Sequence, residues 1–169
     1  MLRLSAIIVV LLLNFATCGA QAAPSCDQFK AAIIEGATLN RMPEPTFTLA
    51  PVNEPDSGLT YWTIASFADV RTMMLCERGI VQVFAVDAKD AEAQSSLHFV
   101  LLTAIGLYAY GMEWPPAIDF RDDLLRIASE SRSAYSRIEG AKVSLVVNAE
   151  GVPSFQIDTE GQGWAREAR

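Results

Sequence analysis

Leu97-His98-Phe99-Val100-Leu101-Leu102-Thr103-Ala104-Ile105-Gly106-Leu107-Tyr108-Ala109-Tyr110-Gly111-Met112 carries the architectural choice in this chain. The run is almost wholly apolar, so as a helix it must be wrapped on every side, either by protein or by lipid. A bilayer span needs about 20 such residues, and this stretch is shorter, with His98 near one end and Glu113 at the other. Arg121, Arg126, Arg132 and Arg137 follow it, which mildly suits a positive-inside arrangement. A membrane placement, however, would separate the two strand-rich flanks into different compartments. It would also leave the amphipathic segment downstream with no sheet to cover. The run therefore reads as the buried central helix of a folded domain, and no stable membrane span is expected.

The segments on either side supply its cover. Upstream, Thr46–Ala50, Thr60–Phe67, Val70–Glu77 and Ile80–Asp87 are strand-like, and the last two flank Arg78-Gly79, a hairpin signal. Pro51 to Gly58 between the first two is rich in turn residues. Before them, Ser25–Asn40 has helical spacing, with Phe29, Ile33 and Ile34 on one face and Ser25 or Asp27 placed to cap it. Met42-Pro43-Glu44-Pro45 ends that helix, because proline cannot continue the ladder.

Helical character begins at Ala88, in a polar first part with Lys89, Asp90, Glu92 and Gln94 ahead of the apolar run. Trp114-Pro115-Pro116 breaks it. A further helix is expected from Asp119, with Phe120, Leu124, Ile127, Ser131, Tyr135 and Ile138 on its apolar side. Arg121, Asp122, Arg126, Glu130 and Arg137 fall on its wet side, where Asp122–Arg126 and Arg126–Glu130 have i, i+4 spacing. Lys142–Asn148 and Val152–Asp158 alternate apolar and polar residues around Ala149-Glu150-Gly151, a second hairpin with one solvated face. The expectation is an α+β domain in two layers: a mainly antiparallel sheet of about six strands, with about three helices packed on one face.

The N-terminus reads as an address. Arg3 precedes an apolar run from Ala6 to Leu13, and Ala20-Gln21-Ala22 supplies the small residues of a cleavage site. Residues 1–22 are thus an expected secretory signal, and residues 23–169 a single domain whose last stretch, 161–169, is an expected loose tail apart from docking by Trp164. Cys18 permits a minority alternative, a lipid anchor, although Phe15 and Thr17 fit that signal poorly. The implied compartment is periplasmic or secreted. Arginine outnumbers lysine ten to three, a bias that goes with a GC-rich, bacterial genome. An exported chain meets an oxidising environment, so Cys26 and Cys76 are expected to form a disulfide tying the first helix to the sheet.

The net charge of −7 argues against nucleic acid and anionic lipid as partners, since both repel an acidic protein. Motifs of catalysis are not evident. His98 is the sole histidine, and its helical neighbours Gln94, Ser95, Leu101 and Leu102 provide neither a carboxylate nor a second metal ligand. Asp119, Asp122 and Asp123, like Asp87, Asp90 and Glu92, precede or open helices, where the dipole favours negative charge without further purpose. No serine elbow or phosphate loop occurs, and no cofactor or metal is expected. What remains is a small binding or interaction domain, with Tyr61, Trp62, Tyr108, Tyr110 and Trp114 as the candidate surface for an envelope protein or small ligand. The alternatives are an envelope hydrolase using Asp and Glu alone, or a membrane-attached accessory protein.

Overall fold

A computed structural model describes residues 23–51, 58–64, 67–138 and 140–159. The expected signal segment with Cys18, residues 52–57 of the turn-rich loop, and the tail with Trp164 lie outside the described residues. The first helix, α1 (Cys26–Leu39), opens on a full capping box. Gln28 N–H donates to Ser25 Oγ at 3.2 Å, and Ser25 N–H donates to Gln28 Oε1 at 3.0 Å. Its buried face is Phe29, Ile33, Gly36 and Ala37, whereas Ile34, expected on that face, lies on the solvent side.

Strands β1 (Phe47–Ala50), β2 (Leu59–Ile64), β3 (Val70–Glu77) and β4 (Ile80–Ala88) form an antiparallel meander. The β3–β4 connection uses Arg78 and Gly79, both at positive φ (50° and 79°), the twist a two-residue hairpin turn requires. The polar stretch after β4 is not part of the long helix. It folds as a short 3₁₀ turn, Glu92–Ser95, with Ala93 N–H bonded to Asp90 Oδ1 at 2.8 Å. Helix α2 (Leu97–Ala109) then starts afresh at Ser96, whose Oγ accepts from Phe99 N–H at 3.1 Å.

Helix α3 (Trp114–Ser131) begins five residues earlier than the Asp119 start predicted from the sequence. Proline suits the first helical turn, where its missing N–H has no intrahelical acceptor to lose. Pro115 and Pro116 therefore lie inside α3 rather than ahead of it. The helix ends at Ser131, because Arg132 turns left-handed (φ 69°). Its buried side is Ala117, Arg121, Leu124 and Ala128, which moves Arg121 from the expected wet face to the inside and leaves Ile127 exposed. The ion pairs differ accordingly: Arg121–Asp122 at 2.7 Å and Arg126–Asp123 at 3.4 Å.

Ser133–Ile138, expected as the end of that helix, is instead strand β5. It pairs with β6 (Ala141–Val147), which pairs in turn with β7 (Pro153–Thr159). Tyr135 and Ile138 do continue a 3.6-residue spacing from Ser131, but Ala134, Ser136 and Ile138 also alternate with Ser133, Tyr135 and Arg137. So short a segment fits either period. Pairing with β6 supplies its backbone with partners, and Tyr135 ends up solvent-exposed.

The two strand groups join through an antiparallel β4–β7 pairing, Phe84 opposite Ile157 and Val86 opposite Phe155. The result is one seven-stranded antiparallel sheet, ordered β1-β2-β3-β4-β7-β6-β5, with the three helices against one face. Helix α2 lies in the middle, flanked by α1 and α3, and touches the central strands β4 and β7. This placement explains its composition. Every residue from Leu101 to Leu107 is buried, and the hydroxyl of buried Thr103 donates to Phe99 O at 2.8 Å. Burying Phe99, Leu101, Leu102, Ile105 and Leu107 contributes on the order of 10 kcal/mol before chain entropy is subtracted. Among the described residues, no helix is long and apolar enough to cross a membrane.

A disulfide joins Cys26, at the start of α1, to Cys76, near the end of β3, with their Cα atoms 6.3 Å apart. The same corner is sewn by backbone bonds. Cys26 N–H donates to Gly79 O at 2.8 Å, and Val81 N–H to Pro24 O at 3.1 Å.

Candidate binding groove

Helices α1 and α2 approach closely because Gly36 has no side chain: a Cβ there would lie 2.6 Å from Ile105 Cδ1. Beyond that contact the helices leave a groove. It encloses about 360 Å³ and is lined by Glu35, Gly36, Leu39 and Asn40 from α1, by Tyr108 from α2, and by Trp114 from the first turn of α3. Gly36 leaves part of the wall as bare helix. Asn40 closes the end of α1, its Nδ2 donating to Gly36 O at 2.8 Å. Tyr108 and Trp114 stand with ring centroids 6.1 Å apart and planes at 82°, near perpendicular. Leu39 is 76% exposed and Tyr108 40%, so the groove presents apolar surface to solvent. The lining is mostly apolar, with one carboxylate, that of Glu35. Among the described residues Glu35 has no ion pair or hydrogen-bonded side-chain partner.

Of the aromatic residues singled out in the sequence, the structure brings together Tyr108 and Trp114 alone. Tyr110 is buried at the core's edge: its ring packs edge-on to Phe29, and its hydroxyl lies 3.1 Å from Thr159 Oγ1. Burial pushes its phenol up to about 12, and nearby Asp158 adds to this while the Thr159 bond opposes it. Tyr61 and Trp62 are neighbours in β2 and so face opposite sides of the sheet. Trp62 packs beneath α1, with the Lys30 ammonium 3.1 Å from its ring centroid. Partial burial lowers the Lys30 pKa, with Asp27 pulling the other way. Tyr61 belongs to a row across the outer face, Tyr61–Leu75–Val83–Asp158, set by the strand registers. Leu75 and Val83 in that row are each 2% exposed. Burial raises the Asp158 carboxyl, and Lys142 on β6 opposes the rise.

His98 has a carboxylate partner after all, drawn from another element. Its Nδ1 sits 2.7 Å from Oδ1 of Asp69, in the turn before β3, and its ring packs against Phe67 with centroids 4.7 Å apart and planes tilted by 37°. Burial would raise the Asp69 carboxyl, but bonds from the Ser96 hydroxyl, His98 and its own backbone N–H outweigh this and hold it below the usual range. A bond through Nδ1 orients the imidazole. The Ser96 hydroxyl is engaged with Asp69 and with the α2 cap. The pair joins the β2–β3 turn to the start of the central helix.

Asp119, Asp122 and Asp123 are exposed on α3, Asp90 caps the 3₁₀ turn, and Asp87 accepts a bond from Ser154. No group of three or more His, Cys, Asp or Glu among the described residues is arranged to hold a metal ion.

Leu39, Glu35 and Asn40 had no sequence signal pointing to a site. Glu35 and Leu39 do share a helical stripe, i and i+4, that ends in an unburied leucine, and this was the available hint. Comparison with family models, curated proteins and solved structures finds no match for this chain.

Proposed function

We propose that the chain is an exported binding domain, whose ligand or partner seats in the groove between the end of α1 and the α2–α3 corner. The observation that carries this reading is the groove itself: perpendicular Tyr108 and Trp114 rings beside a solvent-facing Leu39, around a volume of about 360 Å³. Ligand sites are concave, largely apolar and furnished with few polar groups, within roughly 300–1,000 Å³. Large apolar side chains held open to water at one place are the usual mark of a contact surface.

Export is supported by the basic, apolar and small-residue order of residues 1–22. The Cys26–Cys76 bridge suits an oxidising compartment such as the periplasm or cell exterior.

The test is capture from cell-envelope extract by immobilised protein. Trp114→Ala should weaken retention of a ligand or partner at least several-fold, because central aromatic truncations at contact sites cost about 2 kcal/mol or more. Trp62→Ala, which alters the far side of α1, should have a much smaller effect. Equal retention by the wild type and Trp114→Ala would remove the groove from consideration.

A further inference from the structure

We infer that the groove takes a bulky organic cation, a trimethylammonium-type group carried by a small solute. This deepens the binding-site reading above and rests on it. The inference comes from combining three features of the lining. Tyr108 and Trp114, at 82° to one another, form two walls of a corner. An alkylammonium group seated in such a corner is attracted by ring quadrupoles, most strongly by tryptophan. Among the described residues Glu35 is the one charged side chain in the lining, its carboxylate has no ion-pair or hydrogen-bonded side-chain partner there, and it provides the countercharge.

The kind of cation follows from how few acceptors the described lining offers. A primary ammonium brings three N–H donors and a guanidinium five, each wanting an acceptor when desolvated. Among the described residues the side-chain acceptors of the lining are the Glu35 carboxylate, Asn40 Oδ1 and the Tyr108 hydroxyl, too few to satisfy every N–H of a guanidinium, and the remaining surface is two rings, Leu39 and the Gly36 backbone. A quaternary ammonium has no N–H to satisfy and spreads its charge over methyl groups, so it loses least on entry. The chain's charge of −7 draws cations toward it at low ionic strength. The groove volume also exceeds that of a trimethylammonium group, so the cation is the anchored end of a larger solute.

Titration calorimetry at fixed ionic strength, with choline chloride and its uncharged carbon isostere as probes, tests the assignment. Choline should bind the wild type about five-fold or more tightly than the isostere, the gap expected of a cation–π contact. Glu35→Gln, an exposed and helix-compatible change, should narrow that gap by removing the countercharge while leaving the far-ultraviolet circular dichroism unchanged. Equal binding of both probes, unaffected by Glu35→Gln, would overturn the cation assignment and leave a groove for apolar ligands. Heat from neither probe would overturn it too, while capture that depends on Trp114 would still uphold the binding domain. Retention on phosphatidylcholine vesicles without a response to free choline would refute the small-solute form.

Discussion

Gly106 is where one missing methyl sets a layer spacing. It faces Phe84 of β4, and a Cβ there would lie 2.7 Å from the ring, closer than packed atoms tolerate. Gly106→Ala gains about 1 kcal/mol of helix propensity but overpacks the centre of the molecule by about 1–3 kcal/mol. The net expectation is a lower midpoint in thermal or urea unfolding. Gly36→Ala meets Ile105 Cδ1 and Cγ1, both at 2.6 Å in a fully buried side chain, and should cost a similar amount. An unfolding midpoint for Gly106→Ala at or above wild type would show that α2 lifts freely off the sheet. Asp69 gives a pH-dependent counterpart. Its carboxyl is held below the ordinary range, so it contributes stability above about pH 4, and that contribution drains away as pH falls through its folded-state value. Asp69→Asn should therefore destabilise the protein at neutral pH and match the wild type in acid. A difference that persists undiminished into acid would assign the loss to packing instead.

Among the elements, α1 is the one tied down twice, by the Cys26–Cys76 bridge and by the backbone bonds of Pro24 and Cys26 to the β3–β4 hairpin. Closing a loop across a sequence separation of 50 removes unfolded-state entropy worth about 4 kcal/mol in the chain-entropy account. Reduction, or Cys26→Ser with Cys76→Ser, should lower stability by about 2–4 kcal/mol, read as a shift in urea midpoint. No shift on reduction would mean that the hairpin bonds alone hold α1. The α3–β5 junction shows the limit of pattern reading at this level. The same residues, Ser131 to Ile138, satisfied two periodicities, and Arg132 in a left-handed conformation resolved them in favour of a strand. A positive φ at a non-glycine residue has a steric cost, and the pairing of β5 with β6 sustains it.

Over the whole molecule, the groove and the core share one origin. Three helices laid side by side over a seven-stranded sheet bury the centre of the middle helix, Leu101 to Leu107, and among the described residues the groove lies where the end of α1 meets the α2–α3 corner. The α+β class, the strand hairpins, the Cys26–Cys76 pairing and the buried centre of Leu97–Met112 were legible in the chain. Each follows from local periodicity, turn chemistry or covalent pairing, which act over a few residues or demand a unique partner. The β4–β7 pairing, the inward turn of Arg121, the meeting of Asp69 with His98 and the convergence of Glu35, Leu39, Tyr108 and Trp114 were not. Those contacts join residues far apart in sequence, where periodicity is silent, and they came into being when close packing across Gly36 and Gly106 fixed how near the layers sit.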